Sequence, residues 1–150
     1  MAGSFLGSGM KFPPQVDPAT GRIAVSSENA SVKESVYLIL MTTRSERIMR
    51  PDFGSMLLNY TFMDMNNTSL NILVRELTET LIRQEPRIGD VSITTDFRDK
   101  KGVLLINIDY TIRRTNTRDN LVFPFYLNAD WEENEEEEME IYEPENVEEV

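Results

Sequence analysis

The 150-residue chain contains no cysteine and no histidine. Without cysteine there is no disulfide framework, no thiol nucleophile and no thiolate metal site. Without histidine the commonest general base and the commonest metal ligand are both missing. No Ser-His-Asp or Cys-His arrangement can then be built. Long apolar runs are missing too: the longest, Val36 to Met41, is far too short to cross a bilayer. The first positive charge is Lys11 and no apolar h-region accompanies it, so a secretory signal is not expected. These absences describe a soluble protein made in the cytoplasm, with no membrane partner. At this length it reads as one domain, able to bury roughly two-thirds of its unfolded surface.

What the chain has in excess is acid, and the excess sits at one end. The net charge is -11, yet residues 130–150 hold twelve acids and no Lys or Arg, which leaves 14 acids against 15 bases before them. The body is nearly neutral and the end is a polyanion. A nucleic-acid binder needs a basic excess, so nucleic acid is not an expected partner. Three readings of residues 130–150 stay open. The plainest is a disordered solubilising tail; the others are a docking tail for a basic partner and a loose calcium-binding tract. Trp131, Met139, Ile141 and Tyr142 interrupt the acids and keep docking in play.

Residues 1–20 combine Gly3, Gly7, Gly9, Pro13, Pro14 and Pro18 with Phe5, Leu6, Met10, Phe12 and Val16. This is an extended arm, read equally well as a disordered leader or as a segment that docks. Gly21-Arg-Ile-Ala-Val25 fits a short strand. Ser26, Ser27 and Ser31 offer N-caps, Ser31-x-x-Glu34 fits a capping box, and Val32, Val36, Ile39 and Leu40 repeat at helical spacing, predicting a helix from about Ser27 to Thr42. Ser55 to Phe62 is apolar and long enough for one helical turn. From Thr68, the stripe Leu70, Leu73, Val74, Leu77, Leu81 and Ile82 predicts a second helix that Pro86 ends near Gln84.

Strand patterns follow. Val91, Ile93 and Phe97 alternate, and Asp99-Lys-Lys-Gly102 signals a hairpin turn. Ile106, Ile108, Tyr110 and Ile112 share one face of the next strand, opposite Asn107, Asp109, Thr111 and Arg113. Leu121, Phe123, Phe125 and Leu127 share a face of the last strand, and Pro124 places that strand at an edge or bulge. The expectation is an α+β domain over residues 21–129, with two main helices packed on a three-strand antiparallel meander.

Two charged corners, each braced by proline and each closing a helix, stand out. The first is Arg44-Ser-Glu46-Arg47-Ile-Met-Arg50-Pro51-Asp52-Phe53-Gly54. Pro51 fixes its own φ and pushes Arg50 out of helical geometry, and Gly54 suits the close of a type I turn. The second is Glu85-Pro86-Arg87-Ile88. Glu46, Asp52 and Glu85 are acids in apolar company, and two such carboxyl groups would suffice for glycoside hydrolysis. Nearby arginines lower a carboxyl pKa, the reverse of what a general acid needs, so structural ion pairs are the favoured reading. The expectation is that Arg87 or Arg50 pairs with Glu46 or Glu85 and locks the corners together. Gly3-x-x-x-Gly7-x-Gly9 has neither the strand before it nor the helix after it that a phosphate loop requires. Asp64-Met-Asn-Asn67 lacks calcium-loop spacing. No cofactor, metal or catalytic residue is expected.

The order of these segments resembles the small baseplate-wedge proteins of contractile phage tails and related injection machines, a family that has carried a lysozyme-like label. The matching residues are Gly9-Met-Lys-Phe12-Pro13, Ser35-Val-Tyr-Leu-Ile-Leu40, Thr42 through Gly54, and Glu85-Pro86-Arg87-Ile88. Ser45 stands where the family usually has glycine. The resemblance covers roughly residues 7–128 and implies a structural role at the top of the baseplate wedge. It further implies contacts with the core bundle, strand exchange with the sheath subunit, and six copies around the tail axis. An exposed last strand, Leu121–Asn128, is suited to pairing with a partner strand. The alternatives are a muramidase using Glu46 or Glu85, and a small adaptor that binds another cytoplasmic protein through its sheet edge.

Overall fold

A computed structural model describes residues 5–98 and 101–127 of the chain. The acidic segment 130–150 lies outside the described residues, so none of its three readings is addressed by the fold. The elements run β1 (Ser8–Met10), β2 (Val25–Ser27), α1 (Glu28–Met41), a 3-10 helix (Leu57–Phe62), α2 (Asn67–Gln84), β3 (Ile88–Arg98), β4 (Val103–Ile112) and β5 (Thr117–Tyr126). Strands β3-β4-β5 form an antiparallel meander, and β1 pairs with β2 in a separate two-stranded ribbon. The fold is α+β, as the patterning predicts.

Alternation in β4 puts Leu104, Ile106, Ile108, Tyr110 and Ile112 on one face, all of them buried. Cross-strand register extends this face. Ile108 lies between Ile93 and Leu121, and Ile106 between Thr95 and Phe123. Val36 and Ile39 of α1, and Leu73, Leu77 and Leu81 of α2, complete a single core against it. Tyr37 of α1 sets its ring 5.6 Å from Phe123. Pro124 sits within β5, which is an edge strand of the sheet, where a missing N–H is tolerated.

The differences from the sequence reading have local causes. Helix α1 starts at Glu28 with Ser27 as its cap, so Ser31 lies inside the helix and the Ser31/Glu34 capping box does not form. The cap of α2 is Asn66, whose side chain accepts from the Ser69 N–H at 2.8 Å. Ile82, expected in the buried stripe of α2, is exposed, and the buried Thr80 packs beside Leu77 and Leu81 on the core side instead. The short N-terminal strand is displaced to Val25–Ser27 because Ser8–Met10, within the predicted arm, pairs with it. A bulge between Gly89 and Ser92, with Asp90 at φ 48°, lets Ile88 and Ile93 both face the core.

Truncation of Ile108, fully buried at the centre of the sheet, is expected to be costly. Ile108→Ala should lose about 3 kcal/mol in chemical denaturation, against less than about 0.5 kcal/mol for Ile82→Ala.

Candidate functional site

The first corner is a closed loop rather than a solvated one. Its base is tied by the Ser55 N–H donating to Thr42 O at 2.8 Å and the Arg44 N–H donating to Ser55 O at 3.2 Å. Inside it, the Ser45 N–H donates to Pro51 O at 2.9 Å, and the Phe53 N–H donates to Arg50 O at 3.1 Å. The proline turn therefore closes at Phe53, one residue before the expected Gly54. Gly54 has another duty. Its φ is +104°, and a Cβ there would collide with the Thr42 carbonyl oxygen. Only glycine meets both conditions. Ser45 adopts φ 68°, so the left-handed turn is kept even without glycine at that position.

Arginine in this loop is used for stacking more than for ion pairing. The Arg47 and Arg50 guanidinium carbons lie 4.9 Å and 5.9 Å from the Phe53 ring centre. Glu46 turns inward to its own loop, accepting from the Thr43 N–H at 3.0 Å. Arg44 reaches across to the Thr80 hydroxyl of α2 at 3.2 Å. Ile48 and Met49, at the tip, are 93% and 92% exposed.

In the second corner, Glu85 is only 3% exposed and receives a two-pronged contact from Arg87, at 2.7 Å from Nε and 2.6 Å from Nη2. Burial alone would raise the Glu85 pKa. Hydrogen bonds from Arg87 and Ser35 outweigh it and hold the carboxyl below its ordinary value. Its partner is pushed up by the same hydrogen bond. Arg87 Nη1 also donates to Leu6 O at 3.1 Å and to Ser31 Oγ at 3.4 Å, which pins the N-terminal segment against α1.

The predicted pairing is thus present but confined to one corner. Neither Arg50 nor Glu46 takes part in it. The link between corners is Gln84, the last residue of α2. Its side-chain oxygen accepts from the Gly54 N–H at 2.8 Å, and its Nε2 donates to Asp52 O and Gly54 O, each at 3.0 Å. An amide serves here because the facing groups are backbone N–H and C=O, which need a donor and an acceptor together. Sequence reasoning passed over Gln84 because a polar residue at a helix end looks like surface.

Leu121, Phe123 and Phe125 point into the core, with Leu127 partly buried against it. What β5 leaves uncovered is its backbone edge, since β4 lies on its other side. Asn128 lies outside the described residues. An acid catalyst must hold its proton near neutrality, whereas the Glu85 carboxyl is held below its ordinary value by Arg87 and Ser35. No group of metal-ligating side chains occurs among the described residues, and no described helix is long and apolar enough to cross a membrane.

Two measurements follow from this geometry. Arg87→Ala should cost about 3 kcal/mol or more, and Glu85→Gln less, because only the former orphans the buried charge. The pH dependence has a definite sign. A carboxyl with a lowered folded pKa binds fewer protons folded than unfolded, so its contribution is present above its ordinary value of about 4.3 and fades as pH falls through the folded pKa. Glu85→Gln should therefore flatten the acid limb of a stability-versus-pH curve relative to wild type. Separately, Ser45→Gly should raise stability by about 1 kcal/mol in thermal melts by relieving the left-handed serine.

The comparisons with known proteins agree with this fold. The family model described as baseplate wedge protein gp25 matches residues 26–117. No curated protein matches the chain. A crystal structure described as "putative tail lysozyme", from Geobacter sulfurreducens, is 46% identical, with TM-score 0.64 over 70% of this chain and 96% of that one. A chain of the anti-feeding prophage baseplate is 24% identical, with TM-score 0.54 over 83% of this chain and 88% of that one. A chain of the type VI secretion baseplate complex is 21% identical, with TM-score 0.56 over 65% and 92%. These last two likenesses are of fold. With both charged corners inside the matched span, the chain belongs to the baseplate wedge protein gp25 family.

Proposed function

We propose that this protein is a non-enzymatic part of the baseplate wedge, joining the wedge core to the first sheath ring. In this reading the β5 edge takes up a strand of the sheath subunit, and the corner end of the domain contacts other wedge and core-bundle proteins. Six copies surround the tail axis, each using two different surfaces so that the ring closes. Residues 21–129 form the wedge domain, between an N-terminal arm (1–20) and the acidic tail (130–150).

The observation that carries the proposal is the construction of β5. Its apolar side chains are committed to the core while one backbone edge is left without a neighbouring strand among the described residues. Such an edge invites an added strand, with main-chain hydrogen bonds supplying affinity. The rigid, arginine-stacked first corner supports a scaffold role, since nothing in it is poised for proton transfer.

Quantitative mass spectrometry of purified contractile particles from the source cells tests the proposal. The expected result is six copies per baseplate, or a small multiple, with crosslinks from residues 119–128 to sheath. Absence from intact particles overturns it, and a peptidoglycan digestion assay would then decide whether the lysozyme-like label describes an activity.

A further inference from the structure

The charges of this chain are separated along the sheet. Eight of its 15 bases fall at the end where β3 begins and β4 meets β5: Arg44, Arg47, Arg50, Arg83, Arg87, Arg113, Arg114 and Arg118. Two contacts gather them. Gln84 ties the first corner to the end of α2, and the Arg113 N–H donates to Arg87 O at 2.9 Å. Arg87 is spoken for by Glu85, but Arg47, Arg50, Arg83, Arg114 and Arg118 form no ion pair with a described carboxylate. Arg114 is held in place by Phe5, with its guanidinium 4.9 Å from the ring centre and Nη1 donating to Phe5 O at 3.0 Å. Beside these cations stand the bare Ile48 and Met49. Guanidinium groups set on aromatic rings, at Arg47, Arg50 and Arg114, with an exposed apolar tip suit an acidic peptide that carries apolar side chains.

The chain holds such a peptide, and it departs from the opposite end. Strand β5 closes at Tyr126 opposite Val103, and the Leu127 N–H donates to Gly102 O at 2.9 Å. From there to the arginine end is about 33 Å, the length of a ten-residue strand. Crossing it takes about ten extended residues. The remainder, residues 138–150, holds six acids along with Met139, Ile141 and Tyr142.

We propose that residues 138–150 dock on the arginine end of their own chain. Arg47, Arg50, Arg114 and Arg118 would receive the carboxylates, and Ile48 and Met49 would meet Met139, Ile141 and Tyr142. Tethering favours this occupant. A connection of about ten residues within one chain gives an effective concentration on the order of millimolar, so modest intrinsic affinity suffices. The contact requires no other baseplate protein and does not depend on the role proposed above.

The absence of native cysteine allows a direct test on the full chain. Asn146→Cys carries a nitroxide spin label, and backbone amide signals are recorded in the oxidised and reduced label states. Expected is selective broadening at Ile48, Met49 and Thr115–Thr117. It should persist on about tenfold dilution, as an intramolecular contact must. It should vanish in about 0.5 M salt, and also when Glu138, Glu140, Glu143 and Glu145 are replaced by Gln. Unchanged amide signals of the described residues in the glutamine variant separate loss of docking from loss of fold. No broadening, broadening that fades on dilution and so reports a contact between copies, or broadening indifferent to the glutamines would each overturn the proposal.

Discussion

The buried contact between Glu85 and Arg87 is the constraint on which the rest of this molecule depends. A carboxylate at 3% exposure is untenable alone, and the adjacent guanidinium satisfies both of its oxygens. The pair sits at the one point where the chain leaves the helical layer and enters the sheet. Arg87 then spends its remaining donor on Leu6 and Ser31, while its carbonyl accepts from Arg113 at the far end of β4. One residue earlier, Gln84 holds the first corner. Five consecutive residues, Gln84 to Ile88, thereby join the N-terminal segment, α1, α2, the loop and the end of the β3-β4 pair where β3 begins. A segment so heavily used has little freedom to double as catalytic machinery.

The chemistry of that segment also bears on the lysozyme-like label. Proton donation to a glycosidic oxygen calls for a carboxyl whose pKa is raised by an apolar site. Here burial pushes in that direction and is overruled by three neighbouring donors. The outcome is a carboxylate held below its ordinary pKa and serving as a structural anchor, which is compatible with a family defined by its place in a baseplate.

The sheet was legible from alternation, because β4 from Ile106 onward is apolar on one face and polar on the other. Helix α2 was nearly so, its stripe failing only at Ile82, which lies about 100° round the helix from the fully buried Leu81. The two corners announced themselves by composition, yet their connection did not. An ion pair is visible in a sequence as opposite charges; an amide recognising backbone is not, since half of the contact has no side chain. Gln84 and the Cβ-free approach of Gly54 to Thr42 belong to that hidden class. The β1–β2 pairing was missed for a related reason. Three-residue strands separated by a proline-rich stretch carry no periodicity to detect.

The first corner shows how these constraints produce a usable surface. An exposed isoleucine and methionine would ordinarily be avoided, or would be mobile. Here the loop beneath them is fixed by its own turn, by two guanidinium groups stacked on Phe53, and by the three hydrogen bonds of Gln84. The entropy of ordering the loop is already spent in the folded monomer, so a partner meeting Ile48 and Met49 faces little further cost. Rigidity at the tip and an open strand edge at β5 are two different devices. One presents side chains in fixed positions, the other presents backbone that accepts any sequence able to extend. The role proposed above, with one neighbour held at one surface and a strand taken up at another, would draw on both.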